Sequence, residues 1–241
     1  MSRLNYILTN SRWIWFLKGL PSLPRARTLF QIRRYTLTNP TRCRTLWDQC
    51  KKVLDTNVVG SFVECGVWRG GSSATMGLAI RHSGQTRDLH LFDSFEGLPE
   101  PTEKDGSLAK EYCGGQASGE LRSVSHCKIG LQEVQDFLLG RLRLDASKVH
   151  FHEGWFQNTV PMIAPKLGPI ALLRLDGDWY ESTRICLEHL YPLLSPGGIV
   201  VLDDYFDWIG CKKATDEYRV KNNIVAPMTG ALPNAASWTK P

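Results

Sequence analysis

Two aspartates separated by one residue, Asp176 and Asp178, follow an apolar run in the segment LRLDGDWYEST. A second acidic pair, Asp203 and Asp204, follows the apolar run GIVVL. Carboxylates bind cations or accept protons, so both pairs are candidates for chemistry. Three interpretations of the first pair are open: acids at a helix N-terminus, the DxD metal site of a glycosyltransferase, or half of a different metal site.

A glycine-rich segment, VECGVWRGGSS, has the spacing of a ligand-binding loop. Its pattern is G-x-x-x-G-G, starting at Gly66, and differs from the dinucleotide pattern G-x-G-x-x-G. Glu64, two residues before the first glycine, is unfavourable beside a pyrophosphate but suits a sulfonium or an ammonium group. Asp93 stands 22 residues after Gly71, about the spacing at which an acid binds ribose hydroxyls. These features favour S-adenosylmethionine over NAD, and the structural alternative is a glycine turn followed by a helix-capping serine.

A third candidate lies in the segment HEGWFQNT. Trp155 and Phe156 could hold a planar base between them, although aromatic residues at this spacing are at least as often core residues. The six histidines are dispersed along the chain, and none is assigned a chemical role.

Apolar strands alternate with amphipathic helices from about residue 41 onward. This alternation predicts an α/β fold with a doubly wound, mostly parallel sheet. Residues 97–125 show no sustained period and are predicted to form a long loop or lid. Strands are predicted in SFVECG, DLHLFDS, KVHFHEG, IALLRLDGD and GIVVLDDY, and helices in TLWDQCKKVLDT, GGSSATMGLAIRHS, LQEVQDFLLGRL, ESTRICLEHLYPLL and KKATDEYRVKNN, with SPGG as a turn.

The predicted sheet brings the two acidic pairs together. Neighbouring strands lie about 5 Å apart, and ligands of open parallel sheets bind at the carboxyl ends of the strands. Asp176, Asp203 and Asp204 should therefore converge, and a cation such as Mg²⁺ would relieve their repulsion. The helix-terminus interpretation does not account for the second pair, and the DxD interpretation does not account for VECGVWRGG.

Composition and charge suggest one cytoplasmic domain with a basic N-terminal extension. The 241 residues are 42% hydrophobic and 22% charged, and no apolar stretch approaches the roughly 18 to 20 residues that span a bilayer. Seven scattered cysteines without a CxxC motif indicate reduced thiols. Residues 1–44 hold nine Lys and Arg and no acid, whereas residues 45–241 hold 20 basic and 24 acidic residues.

We place the domain boundary at residue 40, between a basic N-terminal extension (1–40) and the main domain (41–241). The basic segment is typical of several structures: a solvated tail, a transit peptide, or a contact with an anionic membrane, glycan or nucleic acid. Two specific hypotheses are an aromatic membrane anchor around Trp13 to Leu17, at the inner membrane face, and an arm that folds over the acidic domain or a second subunit. The arm is the preferred hypothesis, because the aromatic cluster is short.

Five segments in this order resemble the macrocin O-methyltransferase family of the TylF type: VECGVWRGGSS, LFDSFEGLPEP, GWFQNT, RLDGDWYEST and LSPGGIVVLDDY. The resemblance covers about residues 41–238 and does not extend to the first 40 residues. It implies a class I, Rossmann-like methyltransferase fold like that of catechol O-methyltransferase, with a helical N-terminal extension, a mobile lid and a homo-oligomeric assembly. It also implies Mg²⁺- and S-adenosylmethionine-dependent methylation of sugar hydroxyls.

The resemblance also implies a role for each matching residue. The donor's methionine part would lie at Glu64, Gly66 and Ser72, its ribose at Asp93 and Ser94, and its adenine at Gly154, Trp155 and Phe156. The metal ligands would be Asp176, Asp203 and Asp204, with Asp178 as the general base.

The expected function is therefore transfer of a methyl group to a sugar hydroxyl of a glycoside, a glycan or a nucleotide-sugar, and no nucleic-acid partner is expected. Two alternatives are a DxD metal-dependent glycosyltransferase and a non-catalytic module that binds a membrane surface.

Overall fold

The structure is a computed structural model that describes Ile14, Leu17, Lys18, Leu20 and residues 22–241. It contains a six-stranded sheet in the order β3-β2-β1-β4-β5-β6. The strands are parallel except for the last, which pairs antiparallel with β5. They span Ser61–Cys65 (β1), Leu89–Asp93 (β2), Val149–Glu153 (β3), Ile170–Leu175 (β4), Leu194–Leu202 (β5) and Ala236–Thr239 (β6).

Helices cover both faces of this sheet, as doubly wound folds require. The residues of β1 and β4 are all buried, and most are apolar, with the charged Glu64 and Arg174 among the exceptions. Phe62 and Leu172 belong to one core and their neighbours Val63 and Leu173 to the other. The helices are α1 (Leu23–Ile32), α2 (Pro40–Asp55), α3 (Gly71–Ser83), α4 (Gly106–Tyr112), α5 (Leu131–Gln135), α6 (Phe156–Ile163), α7 (Tyr180–Leu190) and α8 (Ile209–Lys221).

The predicted doubly wound, mostly parallel sheet is confirmed, but some local predictions are wrong. The segment SPGG, predicted as a turn, lies within β5, where the register with β4 shifts between Ile170 and Leu172. The segment LQEVQDFLLGRL is α-helical only as far as Gln135 and continues as a π-helix over Asp136–Arg141. The short strand β6 and helix α6 were not predicted, because segments of this length carry little periodic signal.

The predicted lid, residues 97–125, is folded rather than an irregular loop. It contains α4, which buries Ala109 and Cys113 against Trp179 in a small separate core. The side chain of Asp105 accepts a hydrogen bond from the backbone N–H of Tyr180 at 2.5 Å, at the start of α7. This fold was not predicted because one short helix and isolated contacts to distant residues produce no sustained hydrophobic period in the sequence.

The basic extension is packed on the domain from residue 22 onward. Helix α1 buries Leu29 and Ile32 in the core that also contains α2 and α3. A helical extension is therefore present in the described residues. Most of the aromatic cluster proposed as a membrane anchor, including Trp13, lies outside the described residues. Within the part of the chain that the structure describes, no helix has the length and apolar content that crossing a bilayer requires.

A histidine cluster lies on the edge of the sheet, at strands β2 and β3. His90 stacks on His150, with ring centroids 4.6 Å apart, and its Nδ1 lies 3.1 Å from Nε2 of His152. Burial, followed by the charge of His150, lowers the pKa of both His90 and His152 to about 4. The two half-buried rings therefore remain neutral in the folded protein at pH values where free imidazoles are charged.

This cluster should make the folded state sensitive to acid. Between pH 6.5 and 4 the unfolded chain binds more protons than the folded one, so the free energy of unfolding falls as the pH falls. We expect His90→Phe to lose roughly 1 to 2 kcal/mol less unfolding free energy over this pH range than the wild type, allowing for partial solvent access. Urea unfolding at several pH values measures the slope, and His189→Phe, outside the cluster, is the control. An unchanged slope in His90→Phe would remove the cluster from the pH dependence.

Candidate active site

The carboxyl ends of β1, β2, β4 and β5 open into a cleft of about 1110 Å³, including its mouth. Ligands of open parallel sheets bind at this edge. The cleft wall does not include Glu64 or Gly154. It does include the other predicted site residues: Gly66, Ser72, Asp93, Ser94, Trp155, Phe156, Asp176, Asp178, Asp203 and Asp204.

The glycine-rich loop between β1 and α3 runs too close to its neighbours for side chains at two positions. Gly66 has a positive φ of 94°, and a Cβ atom there would lie 1.7 Å from the carbonyl oxygen of Asp176. A Cβ atom on Gly71 would lie 2.4 Å from the carbonyl oxygen of Tyr35. The loop is therefore held between the end of β4 and the N-terminal segment, and α3 directs its N-terminus towards the cleft beside Ser72.

The carboxylate of Asp93 holds this loop in place. Its Oδ2 accepts hydrogen bonds from the backbone N–H groups of Val67 and Trp68 at 2.7 and 3.0 Å, and its Oδ1 accepts one from Phe95 at 2.8 Å. Burial raises the pKa of Asp93, and these hydrogen bonds oppose the increase. Because a carboxylate oxygen has two lone pairs, Oδ1 can still accept a further hydrogen bond from a ligand in the cleft, whereas Oδ2 already accepts two.

The wall next to Asp93 is aromatic. Trp155 and Phe156 reach the cleft from the start of α6, next to Ser94. The hydroxyl of Ser94 donates to the carbonyl oxygen of Gly97 at 2.8 Å, so it already stabilises a turn. Gly154 lies outside the wall and places the two aromatic residues there with a φ of 132°.

A buried arginine on β4, Arg174, organises the acids behind the cleft. Its guanidinium contacts Glu64 at 2.9 Å, Asp176 at 2.8 Å and Asp203 at 2.9 Å. Glu64 is fully buried, and its other oxygen accepts a hydrogen bond from Ser73. Burial raises the pKa of Glu64 to about 7 despite the charge of Arg174. Both carboxylate oxygens of Glu64 therefore bind buried groups. A direct contact with a methyl donor would have to form in the cleft, and Glu64 is not part of the cleft wall.

A second arginine, Arg42 of α2, reaches the same acids from the N-terminal side. It contacts Asp203 at 3.0 Å and Asp207 at 2.5 Å. The side chain of Asn39 begins α2 by accepting hydrogen bonds from the N–H groups of Thr41 and Arg42. This cap fixes the first turn of the helix, from which Arg42 extends.

The three predicted metal ligands converge. One carboxylate oxygen each from Asp176, Asp203 and Asp204 lies within 4.8 Å of the others. Burial, followed by the charges of Asp178 and Asp176, raises the pKa of Asp204 well above its usual value. A divalent cation would relieve this repulsion, and an all-oxygen donor set suits Mg²⁺. The residues present therefore fit the ion, although Arg174 and Arg42 already contact Asp203.

Asp178 lies beside this group of three and outside it. Its φ is 58°, and its backbone N–H donates to Oδ2 of Asp204 at 3.0 Å. Burial, followed by the charge of Asp176, raises the pKa of Asp178 to about 8, and a hydrogen bond from the side chain of Trp208 opposes this increase. A carboxyl group with such a pKa exchanges protons near neutral pH.

The two arginines and the N-terminal part of the cleft wall were not predicted from the sequence. Arg174 carried a usable signal, since a charged residue inside the apolar run IALLRL must find buried partners. Arg42 and the wall formed by residues 35–38 carried none, because they meet the site only through folding. The cleft thus extends across the predicted boundary at residue 40.

Comparisons with known proteins give a family match. Residues 31–240 match the family described as Macrocin-O-methyltransferase (TylF). The chain is 39% identical over 216 residues to the demethyldecarbamoylnovobiocin O-methyltransferase of Streptomyces niveus, covering 89% of this chain and 76% of the relative. It is 38% identical over 206 residues to the 8-demethyl-8-(2,3-dimethoxy-alpha-L-rhamnosyl)-tetracenomycin-C 4'-O-methyltransferase of Streptomyces olivaceus, covering 85% and 75%.

Solved structures give the same answer for the fold. The O-methyltransferase NovP superposes with a TM-score of 0.73 at 32% identity, over 86% of this chain and 82% of that chain. An O-methyltransferase from Bacillus cereus, solved in complex with SAH, has a TM-score of 0.54 at 11% identity, over 95% and 100% of the two chains, and shares the fold alone.

These matches argue against the glycosyltransferase interpretation of the DGD segment, because the matched family and relatives are O-methyltransferases. The family match covers most of the chain and includes every residue of the cleft wall named above. This chain therefore belongs to the macrocin O-methyltransferase (TylF) family and has the class I S-adenosylmethionine-dependent methyltransferase fold.

Proposed function

We propose that this O-methyltransferase transfers the methyl group of S-adenosylmethionine to a hydroxyl group of a sugar within a glycoside, with a divalent cation bound at the acidic cluster. The observation that carries the proposal is the convergence of Asp176, Asp203 and Asp204 beside a glycine-rich loop, at one end of the sheet. The names of the family and of the relatives support the sugar acceptor.

The donor would lie across the ends of β1 and β2. The N-terminus of α3 and the hydroxyl of Ser72 suit the methionine carboxylate, since both can donate hydrogen bonds. The carboxylate of Asp93 suits the ribose hydroxyls, and Trp155 and Phe156 suit the flat face of adenine. Glu64 would act indirectly, by fixing Arg174 behind the loop.

The sugar would lie at the acidic end of the cleft. Mg²⁺ held by Asp176, Asp203 and Asp204 would supply Lewis-acid chemistry that lowers the pKa of a bound hydroxyl group. Asp178 would accept the proton of that hydroxyl. As the new O–CH₃ bond forms and the S–CH₃ bond breaks, S-adenosylhomocysteine is released. The chain itself contributes mainly by positioning the two reactants in line.

The N-terminal segment would form part of the acceptor side or of a subunit contact. Residues 35–38 line the cleft, and Thr38 donates a hydrogen bond to Asp203 at 3.4 Å. These contacts support the arm over the membrane anchor for the described part of the segment. Homo-oligomeric assembly and a contact of residues 1–44 with an anionic surface remain predictions.

Removal of the Asp93 charge should weaken donor binding. Asp93→Asn loses charged hydrogen bonds worth about 1.5 to 3 kcal/mol, so we expect the Kd for S-adenosylhomocysteine to rise about 10- to 100-fold. Isothermal titration calorimetry measures this constant. The control is Asp88→Asn, which changes an aspartate beside the opposite end of β2. Equal affinities for the wild type and Asp93→Asn would exclude Asp93 from the donor site.

The acidic residues should separate into metal ligands and a base. We expect Asp204→Asn to weaken Mg²⁺ or Mn²⁺ binding strongly while S-adenosylhomocysteine binding persists, because it removes one charged oxygen ligand. Calorimetric titration with the metal is the measurement. The control is Asp207→Asn, which changes an aspartate three residues further along that contacts Arg42. An unchanged metal affinity in Asp204→Asn would contradict the proposed metal site.

Asp178→Asn should have a different effect. We expect metal and donor binding to persist while kcat falls by about 10² or more, the size of a general-base contribution. Single-turnover methylation with labelled donor separates this loss from product release. If this variant instead loses the metal, Asp178 is a ligand and another group takes the proton.

A further inference from the structure

Helix α4 of the lid exposes apolar side chains. Tyr112 is 43% exposed and Leu108 is 60% exposed, whereas Ala109 and Cys113 are buried in the lid core. Leu108 and Tyr112 are four residues apart on α4, so they share one helical face. The folding of the lid accounts for the buried face but does not require apolar residues on the exposed one.

Tyr112 belongs to a group of aromatic rings that joins three parts of the chain. Its ring lies 4.4 Å from that of His126 and 5.5 Å from that of Trp208, measured between centroids. Trp208 in turn packs edge-on against Trp179 at 4.9 Å. We call Tyr112, His126 and Trp208 the aromatic rim.

The aromatic rim lies outside the cleft wall but adjoins residues next to the acidic end of the cleft. His126 precedes Cys127, which lies on the cleft wall. Trp179, on which Trp208 packs, directly follows Asp178 in the chain. A sugar placed next to Asp178 would therefore have its remaining substituents directed towards the rim as they leave the cleft.

The chemistry of the rim selects the kind of substituent. Two aromatic rings, an imidazole and the nearby Leu108 offer flat, apolar contact area. Aromatic side chains interact with other flat rings in offset or edge-on arrangements, with a gain beyond the buried area alone. A second charged group would gain little here, and a small polar group would leave Tyr112 uncovered.

We propose that the aromatic rim binds a flat, apolar aglycone ring of the glycoside acceptor and thereby selects glycosides over free or small alkyl sugars. This inference rests on the proposed sugar acceptor. It assigns Tyr112 and Leu108 to substrate specificity, outside the donor and metal sites.

The experiment compares two probes that share a sugar: 4-methylumbelliferyl α-L-rhamnoside and methyl α-L-rhamnoside. Equilibrium binding of each to the full chain with S-adenosylhomocysteine and Mg²⁺ is measured, together with KM for methylation. We expect the wild type to bind the aryl glycoside at least about 10-fold more tightly, since a flat ring removes apolar surface from water. Tyr112→Ala should raise the Kd and KM for the aryl glycoside about 5- to 20-fold and leave the constants for the methyl glycoside within about twofold.

Leu108→Ser is the second variant, because the side chain of Leu108 is exposed and contributes little to the lid core, and it should show the same selective loss. Phe30→Ala changes a similarly exposed aromatic residue on α1, and both constants should stay as in the wild type. Equal binding of the two probes by the wild type, or equal losses for both probes in Tyr112→Ala and Leu108→Ser, would overturn the proposal. Selective binding of the aryl glycoside without methylation of either probe would count against the proposed reaction and still support the rim.

Discussion

The organisation of the site depends on one buried cation, the guanidinium of Arg174. It lies in a strand whose residues are all buried, and it contacts carboxylates that follow or belong to three different strands. A charge in such a position is very unfavourable unless it is paired and hydrogen-bonded. Since each partner comes from a different strand, the pairing is satisfied only when β1, β4 and β5 are in register. The same contacts hold Asp176 and Asp203 in the wall of the cleft.

This arrangement links the two halves of the cleft. Glu64 lies on the strand that leads into the glycine-rich loop, and Asp203 lies at the end of the strand that leads to α8. Both bind Arg174, so the loop proposed for the donor and the acids proposed for the metal are parts of one ion-pair network. Arg42 extends the network to α2 and thereby joins the N-terminal segment to it. A cation bound at the acids would enter a cluster whose negative charge is only partly neutralised.

The segments on the two sides of this ion-pair network differ in how much space they leave for side chains and in how much surface they expose. On the donor side, a Cβ atom at position 66 would lie 1.7 Å from a backbone oxygen, so Gly66 leaves no room for a side chain. On the other side, the lid is held by its own small core and by contacts such as that of Asp105 with the first turn of α7, and part of its surface is exposed. The loop proposed for the donor is thus sterically constrained, whereas the lid presents exposed side chains.

Much of the fold and of the site could be predicted from the sequence. Buried parallel strands must be apolar, so the strand segments and the order of the acids after them were readable without a structure. The convergence of Asp176 with Asp203 and Asp204 followed from the geometry of neighbouring strands alone. The resemblance added the roles of these residues, and the comparisons confirmed the family.

Only the tertiary structure could show which residues distant in the sequence contact one another. The sequence suggested that the carboxylate of Glu64 contacts the donor. In the structure this carboxylate is buried and binds Arg174, 110 positions away. The lid has a core because α4 meets Trp179, and its aromatic rim exists because Tyr112 meets Trp208. Local patterns encode which face of a strand or helix is apolar, whereas the partner of a buried charge or an exposed ring is set by the packing of segments that share no local pattern.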